Sequence, residues 1–222
     1  MKYYDVHGNC KEIKENELRF LDNGQTANVY HYNDELLKRY FIYAKPELRI
    51  TDDLFSLLTS IDSSNLVKLH KLYKDEKNET MAYTMDYIEP TTIDFLDYKP
   101  SVLLEYLREV ERLVDKLTEE NVRVMDLKNT NVVTTESGIV IIDPDKYRIV
   151  DYKPTTANKD QILYLWYSLL NFGPSIHKDR LDRVGLLNYR EYLQTPLPSD
   201  VTATISKTLN KNKKMIDIFK KS

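Results

Sequence analysis

The periodicity of the apolar residues changes once along the chain, and this change constrains the fold more than any other feature. Before Tyr87 the sequence has short segments rich in β-formers, such as ELRFL and ANVYHYNDELLKRYF, with Asn33-Asp34 where a tight hairpin turn is expected. After Tyr87, apolar residues at steps of three and four share one helical face: Leu103, Leu107, Val110, Val114 and Leu117. The sequence therefore predicts an α+β fold, β-rich first and mostly helical afterwards.

The element boundaries follow from the same patterns. Three segments have helical spacing: 52–61, 101–121 with Ser101 as its N-cap, and about 160–171. LVKLHKLYKD and TMAYTMDYI read as two strands around a polar turn, and NVVTTESGIVIID reads as a hairpin with Gly138 at its turn. We expect one domain over 1–222, divided at about 1–87, a polar joint at about 86–100, and about 101–222.

Composition and charge favour an intracellular protein without a nucleic-acid partner. The 222 residues carry a net charge of −3, which gives no general attraction to nucleic acid or anionic membranes. The first twenty residues lack an apolar leader, and the longest apolar run, ILYLWYSLL, is about half as long as a membrane span. A single cysteine excludes an internal disulfide. We expect a cytoplasmic protein with no membrane span.

The segment VRVMDLKNTNVV, between a predicted helix and the predicted hairpin, concentrates polar chemistry. It contains Asp126, Lys128 and Asn131, and the hairpin should bring Asp143 back close to Asn131. Two oxygen ligands at one point suit a hard divalent cation such as Mg²⁺. A simple polar turn, in which Asp and Asn make local hydrogen bonds, is the alternative.

Asp126, Lys128 and a more distant residue, Lys38, extend this hypothesis to a phosphoryl transfer. Asp126 is not needed as a metal ligand and could accept the proton of an attacking hydroxyl. Lys128 would supply positive charge to the transferred phosphoryl group. Lys38 lies in an apolar strand and needs a partner unless it faces solvent. The candidate partners are acids on or near the neighbouring helix: Asp53 or Asp52, with Glu47 as a competitor.

Taken in order over about 21–170, these features resemble the protein kinase superfamily, in a minimal and divergent bacterial-type or viral-type form. The segment Leu21–Val29 stands where that family has its glycine-rich loop, although only Gly24 remains of three glycines. Lys38 is similar to the strand lysine that contacts nucleotide phosphates. The resemblance implies a two-lobed fold with a β-rich N-lobe and a trimmed, mostly helical C-lobe.

The resemblance also implies a role for each site residue. Asp126 matches the catalytic base, Lys128 the phosphate-contacting lysine, Asn131 and Asp143 the magnesium ligands, and Asp160 the buried acid that anchors the catalytic loop. The implied cofactors are ATP and Mg²⁺, with Mn²⁺ as a substitute. The implied ATP-binding residues are Lys38, Gly24, Val29, Asp53, the gatekeeper Met85, and Asp86 and Ile88 through their backbone groups.

The chain departs from the family in ways that leave its acceptor open. Val124 and Met125 replace the usual His-Arg, Asp143-Pro144-Asp145 replaces Asp-Phe-Gly, and the usual peptide-docking segment is missing. Lys128 favours transfer to Ser or Thr of a protein, whereas the missing segment favours a small-molecule acceptor. The reduced glycine loop leaves a pseudokinase, a nucleotide-binding or scaffolding module, as a further alternative.

Overall fold

The computed structural model describes residues 2–4, 9–91 and 100–170. An antiparallel sheet of seven strands in the order β2-β1-β6-β7-β5-β4-β3 dominates the first part. The strands are β1 Lys2–Tyr4, β2 Cys10–Glu12, β3 Arg19–Asn23, β4 Ala27–Tyr32, β5 Glu35–Tyr40, β6 Leu69–Lys74 and β7 Thr80–Asp86. The predicted strands are confirmed, and the part of the predicted mostly helical region after residue 170 lies outside the described residues.

The β4–β5 hairpin sets the register of the sheet. Its turn contains Asn33 with a left-handed φ of 54°, a conformation that asparagine tolerates well. The register pairs Val29 with Lys38, and Leu36 with Met85 on β7. Paired residues point to the same side of a sheet, so these side chains form one face.

Helix α1, Asp52–Ser60, packs on that face and confirms the predicted helix. The Thr51 hydroxyl caps it by accepting a hydrogen bond from the Leu54 backbone N–H. Leu54, Phe55 and Leu58 are buried, as helical spacing requires. The first turn carries Asp52 and Asp53, which stabilise the N-terminus of a helix dipole.

Helix α2, Pro100–Glu119, buries the predicted apolar face, including Leu107, Val110, Val114 and Leu117. It begins one residue before the expected N-cap Ser101, because proline lacks an N–H and suits the first helical position. Four short strands follow: β8 Val122–Arg123, β9 Val132–Thr135, β10 Gly138–Ile141 and β11 Arg148–Ile149. β9 pairs with β10 as predicted, and the pairing of β8 with β11 was not anticipated.

The β9–β10 turn differs in detail from the prediction. Gly138 begins β10, opposite Thr135, and the turn itself consists of the two residues between them. Gly138 has a φ of 149°, and an added Cβ would come within 3.2 Å of the Glu109 carboxylate. A glycine is therefore required here by backbone conformation and by the close approach of α2.

Helix α3, Thr155–Leu170, begins more than a turn before the predicted start. Pro154 precedes it, and the Asn158 N–H donates to the Pro154 carbonyl in the helical pattern. Asn158, Ile162 and Leu165 are buried on the face toward α2. Among the described helices, none is long and apolar enough to cross a membrane.

Asn158 joins α3 to the end of α2 and to β8. Its side-chain carbonyl accepts from the Val124 N–H at 2.8 Å, and its amide donates to the Val122 carbonyl at 2.9 Å and to the Thr118 hydroxyl at 2.7 Å. All of these groups are buried, so they have no alternative partner in solvent. A single cluster of buried apolar side chains extends from α1 and the sheet face to α2 and α3.

The structure confirms the α+β class, while the division into two kinase-like lobes stays a prediction. A second, smaller apolar cluster covers the opposite face of the sheet. It contains Tyr3, Ile13, Tyr32, Leu37, Tyr73 and Ala82. Both faces of the central strands are therefore buried, which fixes the sheet firmly as one wall of the site.

Asn158→Ala should lower the free energy of unfolding by about 2–4 kcal/mol, because the buried groups that Asn158 contacts lose their hydrogen-bond partner. Urea denaturation followed by circular dichroism measures this change. Asp160→Ala, at an exposed position on the same helix, is the matched control and should stay within about 0.5 kcal/mol of wild type. Equal losses in the two variants would contradict the role of Asn158 in joining α3 to α2 and β8.

Candidate active site

A cavity of about 400 Å³ opens between strands β3 to β5 and the loops that follow β8 and β10. Part of its lining is apolar, and this part is called the apolar end of the cavity. Its apolar lining side chains are Leu21, Ala27, Val29, Leu36, Met85 and Ile142. Several come from the sheet face described above, because alternate residues of neighbouring strands share one side. Gly24 also lines the cavity, and its N–H closes the β3–β4 turn on the Ala27 carbonyl at 2.8 Å.

The other end of the cavity is polar. It is lined by Lys38, Asp126, Lys128, Asn131, Asp143 and Lys146, from separate parts of the sequence. The predicted return of the chain is confirmed, because the Ile142 N–H donates to the Asn131 carbonyl at 3.0 Å. The four residues that the segment and hairpin were expected to bring together, Asp126, Lys128, Asn131 and Asp143, all face one cavity.

The loop before β9 holds Asp126 in an unusual backbone conformation. Its φ is 56°, in the left-handed region, where residues other than glycine are uncommon. The Asn131 amide donates to the Asp126 carbonyl at 2.8 Å and to its carboxylate at 3.2 Å. On the other side, the Leu127 N–H donates to the Gln161 side chain at 3.0 Å. Such locally strained positions are concentrated at functional sites.

Two lysines neutralise the Asp126 carboxylate. The Lys128 ammonium is 2.8 Å from one oxygen, and the Lys146 ammonium is 2.6 Å from the other. Burial alone would raise the pKa of Asp126, but the hydrogen bonds from these lysines outweigh it and hold the pKa below its ordinary value. Asp126 is therefore ionised at neutral pH. Lys146 was not identified from the sequence.

Lys38 lies buried at the junction between the sheet and the segment after β10. Its ammonium is 2.5 Å from an Asp143 oxygen and 2.8 Å from an Asp145 oxygen. Burial favours the neutral amine, but the charges of Asp145 and Asp143 raise the pKa of Lys38 above its ordinary value. The lysine is thus a fixed positive charge at the polar end of the cavity.

The predicted acid partner of Lys38 is wrong. Asp53 is exposed and does not line the cavity, and Asp52 forms an ion pair with Lys74 on β6. The reason is geometric: the N-terminal turn of α1 faces β6, whereas residues 143–145 pass directly beside Lys38. Glu47 is exposed as well.

Asp145 completes the arrangement and was missed by the sequence analysis as a partner. Its carboxylate accepts from the Tyr83 hydroxyl at 2.6 Å and from the Tyr40 hydroxyl at 2.9 Å. Burial opposes ionisation, but Lys38 holds the pKa of Asp145 well below its ordinary value. Burial and the neighbouring Asp145 charge instead raise the pKa of Asp143 to about 6. The sequence contains signals of this cluster: the second acid in IIDPD, a tyrosine two residues from Lys38, and a tyrosine two residues from Met85.

The residues at the polar end fit a divalent cation only in part. Asp143 is 30% exposed toward the cavity, and the Asn131 amide oxygen accepts a long hydrogen bond from the Thr130 hydroxyl, at 3.2 Å. These are two hard oxygen ligands. Among the described residues, no group of three or more His, Cys, Asp or Glu side chains forms a metal site. The site therefore suits Mg²⁺ whose remaining ligands come from phosphate and water.

The other predicted ATP-binding residues divide into two groups. Val29 and Met85 line the apolar end, as expected. Asp86 and Ile88 are not among the described residues that line the cavity. The Asp86 N–H donates to the Lys68 carbonyl at 3.0 Å, and its side chain contacts His70 at 2.6 Å, so this N–H is not available to a ligand.

The prediction that Asp160 is a buried anchor is wrong. Asp160 is exposed, because the early start of α3 turns this position away from the loop. Asn158 and Gln161 make the anchoring contacts instead, to the backbone at Val124 and Leu127. An amide can both donate and accept here, which a carboxylate cannot do when ionised.

Comparisons with known proteins leave the family open. No protein-family model matches this chain, and no curated protein matches it significantly. The resemblance to protein kinases therefore rests on the chain's own residues. The arrangement of those residues around the cavity is the main evidence that bears on function.

Lys38→Met should lower the free energy of unfolding by about 3–5 kcal/mol near neutral pH, because it leaves the buried Asp145 and the partly buried Asp143 without their cation. The cost should be smaller at about pH 5, because Lys38 lowers the pKa of Asp143; without Lys38 this pKa rises above about 6, and the variant gains more stability than wild type as protonation removes the repulsion with Asp145. Urea denaturation at the two pH values tests this. The exposed Lys68→Met is the control, and a cost independent of pH would contradict the charge argument.

Proposed function

We propose that this protein is a Mg²⁺-dependent phosphotransferase of the protein kinase type, which moves the γ-phosphoryl group of ATP to a hydroxyl. The observation that supports it best is the convergence of Lys38, Asp126, Lys128, Asn131 and Asp143 on one cavity. The proposed acceptor is Ser or Thr of a protein, with a small hydroxyl compound as the alternative. The proposed fold is two-lobed, with the cavity between a β-rich and a helical lobe.

The shape and lining of the cavity support nucleotide binding. Its volume of about 400 Å³ is within the usual range for small-molecule sites. The apolar end, with Val29 and Met85, suits a purine ring, and the lysines at the other end suit phosphates. Both kinds of side chain line the same cavity, so a single nucleotide could contact both.

The polar residues have distinct proposed roles. Asn131 and Asp143 would hold Mg²⁺, which neutralises charge on the nucleotide phosphates. Lys38 binds phosphate oxygens from the sheet side, and Lys128 stabilises charge on the transferred group. Asp126 is ionised and orients the acceptor hydroxyl, whose proton it accepts.

A pseudokinase is the second candidate, and the ion pairs of Asp126 favour it. Both oxygens of this carboxylate are in contact with a lysine, Lys128 on one side and Lys146 on the other. An acceptor hydroxyl would have to share the carboxylate with these contacts or displace one of them. If it does not, the protein binds nucleotide without transferring phosphate.

Nucleotide binding predicts a thermal shift. At a hundred times its dissociation constant, Mg-ATP should stabilise the fold by about 2.7 kcal/mol, which raises Tm by roughly 5–10 °C for a chain of this size. Differential scanning fluorimetry with Mg²⁺ or Mn²⁺ measures the shift. An unchanged Tm at millimolar nucleotide with either ion would count against both the enzyme and the pseudokinase.

Two aspartate variants separate the enzyme from the pseudokinase. Asp143→Asn should weaken Mg-ATP binding and abolish transfer, because it replaces a charged carboxylate ligand of the metal with a neutral and weaker amide ligand. Asp126→Asn should leave nucleotide affinity nearly unchanged and slow transfer by about a hundredfold or more, the usual effect of a positioned base.

Calorimetry and transfer of labelled phosphate from ATP to the protein itself, to generic proteins and to small alcohols measure these effects. Equal loss of ATP affinity in both variants would contradict the separate roles. Binding without transfer to any acceptor in the wild-type protein would favour the pseudokinase.

A further inference from the structure

Asp145 is a buried carboxylate with no direct part in the proposed chemistry. Its side chain is 2% exposed, and its oxygens accept from Tyr83 at 2.6 Å and from Tyr40 at 2.9 Å. The Lys38 ammonium is 2.8 Å from it. Both oxygens are therefore held by fixed donors, and Asp145 does not line the cavity.

Asp143 differs from Asp145 although both contact Lys38. Asp143 is 30% exposed and lines the cavity, and it accepts a hydrogen bond from Lys38, whereas the hydroxyls of Tyr40 and Tyr83 donate to Asp145. A ligand can therefore replace the contact between Asp143 and Lys38 without disturbing the buried pair. Asp143 is therefore placed to contact a ligand, and Asp145 is placed to hold Lys38.

Helix α1 provides no acid to this cluster. Asp52 pairs with Lys74 on β6, and Asp53 is exposed. The chain just before the helix supports the cluster differently, because the Ile50 N–H donates to the Tyr40 hydroxyl at 3.0 Å. The charge partner of Lys38 is thus fixed to the segment after β10 and not to a helix.

We propose that Asp145 is the positioning residue for Lys38, holding its ammonium at the polar end of the cavity to bind nucleotide phosphates while Asp143 remains available to the metal. This inference rests on the proposed function. Because Asp145 follows Asp143 by two residues, a displacement of residues 143–145 removes the lysine's partner and the metal ligand together.

The test compares Asp145→Asn with Asp53→Asn. Calorimetry should show an ADP dissociation constant at least about tenfold higher in Asp145→Asn, both with Mg²⁺ and in EDTA, because Lys38 contacts phosphates whether or not metal is present. Asp53→Asn should stay within about twofold. A loss confined to Mg²⁺ would overturn the proposal, because Asp145 would then act through Asp143. So would equal losses in the two variants.

Kinetics add a readout that a general structural role would not change selectively. In Asp145→Asn the KM for ATP should rise about tenfold or more, with a smaller change in kcat if Lys38 mainly binds phosphate in the ground state. If the acid variant does not fold, Tyr83→Phe keeps the acid and removes one donor, and it should raise KM about two- to tenfold. An unchanged KM in the folded variant would overturn the proposal.

Failure of the proposed function is distinguished by a measurement that needs no nucleotide. Brief treatment with acetic anhydride, followed by mass spectrometry, reports how well the Lys38 amine is held relative to Lys128. Acetylation of Lys38 should rise several-fold in Asp145→Asn or Tyr83→Phe and stay at the wild-type level in Asp53→Asn. Absence of nucleotide binding in wild type overturns the proposed function, and unchanged Lys38 acetylation overturns the role of Asp145.

Discussion

The ion pair of Lys38 with Asp143 and Asp145 is the interaction on which the site depends. It joins residues that are 105 positions apart in the sequence, one on the central sheet and the other beyond the β9–β10 hairpin. A buried ammonium is costly without a partner, and two adjacent carboxylates, of which Asp145 is buried, are costly without a cation. Each side of the contact therefore requires the other, which fixes the position of the cavity's polar end.

Many elements of the fold follow from local sequence. The Asn33 turn, the Thr51 cap and the apolar face of α2 are each determined by residues close together in the chain. The pairing of β8 with β11 is different, because each strand has two residues and the partners are far apart. Segments this short carry no periodicity, so only tertiary contacts determine that they pair.

The residues of the site likewise divide into those that local sequence predicts and those that depend on tertiary contacts. Asp126, Lys128 and Asn131 belong to one segment and Asp143 to the adjoining hairpin, so their convergence was predictable. The partner of Lys38 was not, because the choice among several acids depends on how the segment after β10 passes under the sheet. Asp160 was assigned by resemblance, but the actual start of α3 places Asn158 on the inner face.

The charges around the cavity are balanced, which would allow the proposed site to bind an anion without leaving buried charges unpaired. Lys38, Lys128 and Lys146 face Asp126, Asp143 and Asp145, so the cluster is close to neutral. The lysines remain within reach of the cavity, and each can exchange part of its carboxylate contact for a phosphate oxygen. Such exchange keeps the charges paired in both states.

Labelling with an ATP acyl phosphate, which acylates lysines next to the bound phosphates, tests the central claim most directly. We predict Mg²⁺-dependent modification of the lysines at the polar end, Lys38 first among them, and its suppression by excess unmodified ATP. Mass spectrometry of the digested protein identifies the sites. Modification that is spread over exposed lysines and unaffected by ATP would contradict a nucleotide site in this cavity.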